Sequence, residues 1–532
     1  MGSLRPYAWD IGLLGGVLCV QLLAHSLCLS GFGYFQDDFY ILVSDFDYGA
    51  AAGRFSLGRP LSWLILGALR TAGQPWGLLG WHGVAAMVNA LATAALYGLL
   101  LQLGASRLFA VLATLFWALY PLDKTQDWLG MALPNRPAWL VMFLALWLHA
   151  SGRRWLAHGV AALVLLIYES LYPLFALAPW LEAAMRGEFP RRRAAALQLA
   201  AMGTLLLLYV GIRASFGENR MLSLDRATAL QRSIWHMAWG PPLGVVKSAL
   251  ASLRGWPEVA RTFPWAGALG LALVAGLCHS SSPGPERPSD RASWPLLVTA
   301  LGLTCAGYSL TLAHDDLRRV QGAFTRIHFG ATLGFALLFA SLATPGWRWL
   351  QGRGRQTLAL LAVSLYFGGL LGTQFWRQKA DVAAWSRQRD FYLEVQRLCP
   401  DLLPQTVLLV SKEALPRHEN METFTGMGIF QLPSLIDFQA SFGQAGRDYP
   451  PRMFEVNSPE RKFAPLDWLW VRPYPQPRWI VLEGYPGRLE RKAVSFSLGE
   501  QRCQACEAPP GPYPQLVKTR AYADMMRAWP SI

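Results

Sequence analysis

The feature that most limits this chain is a series of apolar runs. Several come close to the roughly 20 residues that an α-helix needs to cross a bilayer core. Residues 8–30, 81–103, 194–213 and 356–376 are examples. Backbone inside hydrocarbon must pair its own polar groups, so such runs fold as helices. Charged residues supply only 15% of the 532, where a soluble chain carries about 25%. The fold class that follows is an α-helical polytopic membrane protein.

A formal charge of +14 would suit nucleic acid, but its placement excludes that partner. Lys and Arg outnumber Asp and Glu by 28 to 17 over residues 1–376, and by only 20 to 17 from Arg377 onward. The excess therefore lies between apolar runs, as expected where cytoplasmic turns collect basic residues. On that rule Arg5, Arg107, Arg153-Arg154, Arg191–Arg193 and Arg348–Arg355 face the cytoplasm. About eleven spans result, at 8–30, 81–103, 108–121, 138–150, two short helices within 156–185, 194–213, 264–279, 294–313, 327–344 and 356–376. Tyr168-Glu169-Ser170 and Pro173 interrupt the 156–185 stretch, and a broken helix at membrane depth belongs where it lines a cavity or is buried in protein. Residues 58–66 and Ile234–Leu253 read as amphipathic pieces outside the spans.

This topology puts the N-terminus in the cytoplasm and the C-terminus outside. One Arg precedes the first run and no cleavage site follows it, so that run is expected to stay as a span. Arginine exceeds lysine by 41 to 7, which points to a GC-rich bacterial genome and so to an inner membrane. The chain divides into a transmembrane part, 1–376, and an extracytoplasmic tail, 377–532. In the tail, 381–398 reads as helix, and Thr406–Val410 and Trp479–Leu482 as strands of a small α+β domain. Cys503 and Cys506 form one C-x-x-C pair, short of the four ligands of a closed zinc site. Outside the cytoplasm a local disulfide fits them better.

The functional signal is the stretch Gly31–Tyr40, where Asp37 and Asp38 sit among aromatics as the first span meets water. Carboxylates at the edge of hydrocarbon are costly, which makes them functional candidates. Basic residues on the external side, Arg59, Lys124, Arg136, Arg318, Arg319 and Arg326, break the charge rule and call for an anionic ligand.

The order of these features resembles the GT-C membrane glycosyltransferases, and within them the protein O-mannosyltransferase-like group. The residues that carry the likeness are Asp37-Asp38, Arg59-Pro60-Leu61, Gly80-Trp81-His82 with Asn89, and Phe116 to Pro121. Asp127-Trp128 to Arg136, Glu169-Ser170, and Arg326 to Gly330 complete it. It covers about residues 1–376. The third span ends in Tyr120-Pro121 where the family more often has His-Pro, and the tail has no tetratricopeptide repeats.

The resemblance implies an inverting glycosyltransferase. Such an enzyme moves a sugar from a polyprenyl-phosphate carrier to a hydroxyl acceptor, which can be protein, lipid or glycan, at the outer face. That chemistry needs a carboxylate base for the acceptor proton and cations on the phosphate as it leaves. Asp38 or Asp37 is the candidate base, with the other orienting the acceptor or holding a divalent cation. Arg326, Arg136, Lys124 and Arg59 are the candidate phosphate ligands, and Glu169, His82 and Asp127 support them. Glu169 is expected to pair with one of these bases or with His82. His314-Asp315-Asp316 is a further metal candidate, weaker because adjacent acids on a polar loop are usually solvated. Two other readings are a flippase or transporter of lipid-linked sugars and a non-catalytic membrane scaffold. The first predicts paired interruptions in the two halves, and only one is seen. The second predicts that Asp37 and Asp38 tolerate replacement by Asn.

Overall fold

The computed structural model describes residues 5–33, 59–215, 226–281, 286–291, 293–310 and 322–399, and five strands between 406 and 505. The described chain is a helical membrane protein. Its first helices are α1 (Arg5–Ser26), α2 (Pro60–Gly73), α3 (Gly77–Gln102), α4 (Arg107–Ala118) and α5 (Leu129–Ala150). Then come α6 (Arg154–Tyr168), the short α7 (Tyr172–Phe175) and α8 (Ala178–Ala184), and α9 (Arg192–Ser215). The last are α10 (Arg226–Arg261), α11 (Pro264–Ser281), α12 (Trp294–Tyr308), α13 (Thr332–Gly352) and α14 (Gln356–Leu398).

Among the described residues, 6 segments are long and apolar enough to cross a bilayer: Trp9–Gly31, Pro60–Gln102, Leu129–Ala150, Arg154–Phe175, Arg192–Ser215 and Gln356–Arg387. α4 and α12 are apolar but shorter. α4 is buried on every side from Leu108 to Ala118, as expected of a helix that is apolar all round. It forms the axis of the bundle, with α1, α3, α11 and α13 packed about it.

At one end of the bundle the helices close tightly. Gly104 (φ +87°) and Gly152 (φ +78°) end α3 and α5 in the left-handed conformation that glycine adopts without a Cβ penalty. The next residue then reaches back: Ala105 N–H donates to Leu100 O and Arg153 N–H to Leu148 O. This pattern satisfies carbonyls that a helix end otherwise leaves unpaired. Gly187 and Gly354 repeat it after α8 and α13, at the same end.

The structure corrects several sequence-based boundaries. α5 begins at Leu129 rather than near 138, so Pro134, Asn135, Arg136 and Pro137 lie inside a helix. Neither proline can donate a ladder hydrogen bond, but buried Trp139, Met142 and Phe143 anchor the helix on the core. Ile234–Leu253 is part of the 36-residue α10, with Pro241, Pro242 and Pro257 inside it. That helix crosses three others in turn. Gly240 meets Tyr308 of α12, Gly244 meets Phe335 of α13, and Gly255 meets Gly369 and Thr373 of α14. Small residues let the backbones approach closely at the last crossing.

The eleventh span and the tail helix are one helix, α14, of 43 residues, about 65 Å long. The division expected at 376/377 falls in its middle. Beyond it lie β1 (Thr406–Ser411), β2 (Arg452–Val456), β3 (Arg478–Tyr485), β4 (Arg488–Ser497) and β5 (Arg502–Ala505). They form one sheet in the order β2-β1-β3-β4-β5. β1 pairs in parallel with β2 and β3, and the remaining pairs are antiparallel. Arg491 of β4 donates to Leu398 O, joining the sheet to the end of α14. Cys503 lies on β5, and Cys506 is outside the described residues.

The interruption expected at Glu169 is present. α6 ends at Tyr168, a 3-10 turn covers Glu169–Leu171, and α7 and α8 follow as short separate pieces.

Candidate functional site

The end of the bundle opposite the glycine turns is built from connections. α4 gives way to the segment 119–128, which contains the 3-10 turn Lys124–Asp127. Asp123 organises it: its Oδ1 accepts from Thr125 N (3.0 Å) and Thr125 Oγ1 (2.7 Å). Its Oδ2 accepts from Arg136 Nη2 at 3.1 Å, with both side chains at most 5% exposed. Burying a charge is costly unless it is paired and fully hydrogen-bonded, and Arg136 also lies 5.1 Å above the Phe329 ring.

α14 fastens the same segment from outside. Gln374 Nε2 donates to Leu119 O, and Arg377 donates to Pro121 O (2.9 Å) and Asp123 O (3.1 Å). A second 3-10 turn, Gly322–His328, closes over it, with Lys124 N donating to Thr325 Oγ1 at 3.0 Å. The Lys124 ammonium sits 5.8 Å from the Trp376 ring centre. Arg326 Nη1 approaches Met131 Sδ at 3.8 Å, on the first turn of α5.

Asp127 faces α1. Its carboxylate lies 3.0 Å from His25 Nδ1, while His25 Nε2 donates to Ala118 O at 2.8 Å. Nε2 is therefore the donor to Ala118 O, and Nδ1 faces the Asp127 carboxylate. Burial alone would raise the pKa of Asp127. The His25 ring opposite it, then Arg377 and Arg136, outweigh burial and hold the carboxyl below its ordinary value.

A cavity of about 20 Å³, room for about one water molecule, opens beside this pair. His25, His82, Asn89, Gln126 and Asp127 line it, together with the Gln21 amide, whose Oε1 is buried with no hydrogen-bond partner among the described residues. His82 Nε2 lies 3.0 Å from Gly33 O, and Asn89 Nδ2 donates to Gln126 O at 3.3 Å.

Lys124, Arg136 and Arg326, three of the four phosphate candidates, thus share one end of the bundle with Asp127 and His82. Arg59 is set apart, as Glu169 accepts from its Nε at 2.7 Å and its Nη2 at 2.6 Å. This is the two-pronged match of guanidinium to carboxylate. Burial alone would depress the Arg59 pKa, but Glu169 outweighs it and raises the value. The two groups meet through rings: Arg59 over Tyr168 (4.7 Å), Tyr168 against Phe329 (5.3 Å), and Phe329 under Arg136.

Asp37, Asp38, His314-Asp315-Asp316, Arg318 and Arg319 lie outside the described residues. The chain on either side of the acid pair is described: Gly33 is held by His82, and Arg59 by Glu169. Among the described residues no group of three or more His, Cys, Asp or Glu could hold a metal ion.

Sequence reasoning did not nominate His25, Asp123 or Arg377. A lone histidine inside the first apolar run was a usable signal, because ionisable groups at that depth are rarely idle. So was Arg377, directly after an apolar run. Asp123 carried no signal apart from its neighbours. No family model, no curated protein and no solved structure matches the chain.

Proposed function

We propose that the protein is an inverting membrane glycosyltransferase of the GT-C type, drawing a sugar from a polyprenyl-phosphate carrier and placing it on a hydroxyl acceptor at the extracytoplasmic face. The observation that carries this reading is the gathering of Arg136 and Arg377 around Asp123 and Asp127, with Lys124 and Arg326 on the two 3-10 turns joined at the same segment. The cluster lies at the end of the bundle where Gly33 leads into the aspartate stretch.

In this reaction the acceptor oxygen forms a bond to the anomeric carbon as the bond from that carbon to the phosphate oxygen breaks. The acceptor proton passes to Asp38 or Asp37, and the electron pair leaves on the phosphate. One displacement inverts the anomeric centre and needs no second carboxylate as nucleophile. Charge on the phosphate grows from about one unit to two, so prearranged cations stabilise the transition state more than the bound donor. Arg326 and Lys124, the less enclosed members of the cluster, would meet the phosphate, while Arg136 and Arg377 hold the segment that presents them. The divalent cation that the acid pair could bind would act on the same leaving group.

The test is transfer of label from radiolabelled polyprenyl-phosphate hexoses in membrane vesicles carrying the full chain. Label is expected on an acceptor with wild type, and a loss of at least about 100-fold with Asp37→Asn/Asp38→Asn. Label that crosses the bilayer without transfer, or equal transfer by the double variant, would overturn the proposal.

A further inference from the structure

Helix α10 is built inside out. Its bundle side is made mostly of small residues: Gly240, Gly244, Ser248, Ser252, Gly255 and Val259 are buried, at the three- and four-residue spacing of one helix face. Its outer face is the apolar one, with Trp235, Trp239, Val246, Leu250 and Leu253 between 42% and 70% exposed. A helix bathed in water turns its apolar stripe to the core. Small residues at the helix contact with large apolar ones outside are the membrane arrangement. The polar groups of the inner side are used within the bundle, as where Ser252 Oγ donates to Tyr366 O at 2.8 Å.

The crossings of α10 fix its depth. They fall at Tyr308 of α12, Phe335 of α13 and Gly369 of α14. These stand 14, 17 and 13 residues from Trp294, Gly352 and Gln356, the glycine-turn ends of the three helices. At 1.5 Å per residue, α10 runs about 20–25 Å from that end at every crossing, across the bundle rather than along it. In a hydrocarbon core of about 30 Å this leaves about 5–10 Å to the opposite boundary, the depth at which an interfacial helix beds its apolar face.

The helix is also turned in a definite sense about its axis. Thr373 Oγ1 donates to Ala251 O (2.7 Å), while Trp256 Nε1 donates to Leu365 O (3.0 Å), eight residues nearer the glycine-turn end. The flank beside Ala251 therefore faces the connection end, and the flank beside Trp256 faces the bilayer centre. Lys247 and Arg254 lie on the Ala251 flank, four residues before it and three after, and Arg261 extends the line by seven. Val245, Ala249 and Leu253 lie on the Trp256 flank. The whole helix has five Lys and Arg against one acid, Glu258, whose carboxylate accepts from Thr262.

We propose that α10 docks the bundle on the acidic phospholipids of the leaflet at the connection end. Its outer and lower faces bed in the acyl region, and Lys247, Arg254 and Arg261 meet the headgroup phosphates above them. Positive charge on a helix of this kind adds electrostatic attraction to the apolar burial. The docking does not depend on the chain transferring sugar. It has a bearing on that reading through Gln374, the neighbour of Thr373, which holds Leu119 O of the candidate site. The basic flank and the basic cluster thus lie at one level of the bundle.

The experiment uses the full chain in lipid vesicles. Leu250→Cys, Leu253→Cys and Arg254→Cys each carry a nitroxide, and the signal of the unsubstituted, equally treated chain is subtracted. The labels of Leu250→Cys and Leu253→Cys are expected to collide with oxygen dissolved in the acyl region and to be shielded from a water-soluble nickel chelate. The label of Arg254→Cys is expected to show the reverse. Nickel access at all three would overturn the docking. Shielding from both reagents at the two leucine positions, the result of a second copy or a protein partner covering the face, would overturn it as well. The headgroup contact is tested by extracting the chain from vesicles of equal parts phosphatidylcholine and phosphatidylglycerol. Wild type is expected to retain phosphatidylglycerol preferentially, and Lys247→Gln/Arg254→Gln/Arg261→Gln to lower the retained ratio at least about threefold. An unchanged ratio would overturn the role of the basic flank. Should the triple variant fail to insert, Lys247→Gln/Arg254→Gln is judged in the same way.

Discussion

The two ends of the helical bundle solve the same problem, how to turn a chain around, in different ways. At one end four helices close on left-handed glycines, and acids meet bases in small local pairs: Asp10 with Arg107, Asp290 with Arg348, Glu182 with Arg186. At the other, longer segments bring Arg136 and Arg377 to two buried acids and carry Lys124 and Arg326 on their 3-10 turns. The first arrangement only closes turns. The second concentrates positive charge in a poorly hydrated place, which costs stability and has value where an anion must be bound. A similar inventory of ion pairs therefore carries different meanings at the two ends.

The largest effect expected is from Arg136→Gln. It leaves Asp123 buried without its partner, a loss of about 3–5 kcal/mol in thermal or denaturant unfolding, and transfer should fall by at least about 100-fold. Arg348→Gln at the opposite end breaks a pair whose acid is also fully buried. It should cost comparable stability, yet leave transfer per folded molecule at the wild-type level. Equal losses of transfer from both variants would erase the distinction.

Legibility followed the same division. The apolar runs fixed a helical membrane fold, and the break at Glu169 and strands β1 and β3 were readable. Periodicity and charge order are local signals, and these features are local or repeat them. What escaped depends on distant packing. The span expected at 138–150 begins instead at Leu129, because the buried aromatic face of α5 carries the helix through Pro134 and Pro137. Arg377 read as the start of a tail, although the helix runs through it unbroken. His25 meets Asp127 across 102 residues, and nothing in either neighbourhood announces the partner.

Acid should separate the ends further. The folded-state pKa of Asp127 lies below its unfolded value, so its contribution is complete above about pH 4 and is lost as pH falls through the lower folded value. The melting temperature of wild type should drop on acidification below that point, and Asp127→Asn should show a smaller drop. A smaller effect, about 1–2 kcal/mol, is expected of Gly104→Ala, which forces a Cβ into φ +87°. The smallest is Asp10→Asn, which removes a partly exposed pair worth at most about 1 kcal/mol. Neither change should alter transfer.

The most direct test of the central claim is the affinity of the purified protein for polyprenyl phosphate, measured without any acceptor. Lys124→Gln/Arg326→Gln is expected to weaken binding by about tenfold or more, since each cation lost removes a charge-assisted contact. Arg107→Gln, at the glycine-closed end, should bind as wild type does. Unchanged binding by the double variant, or equal weakening by Arg107→Gln, would contradict the account.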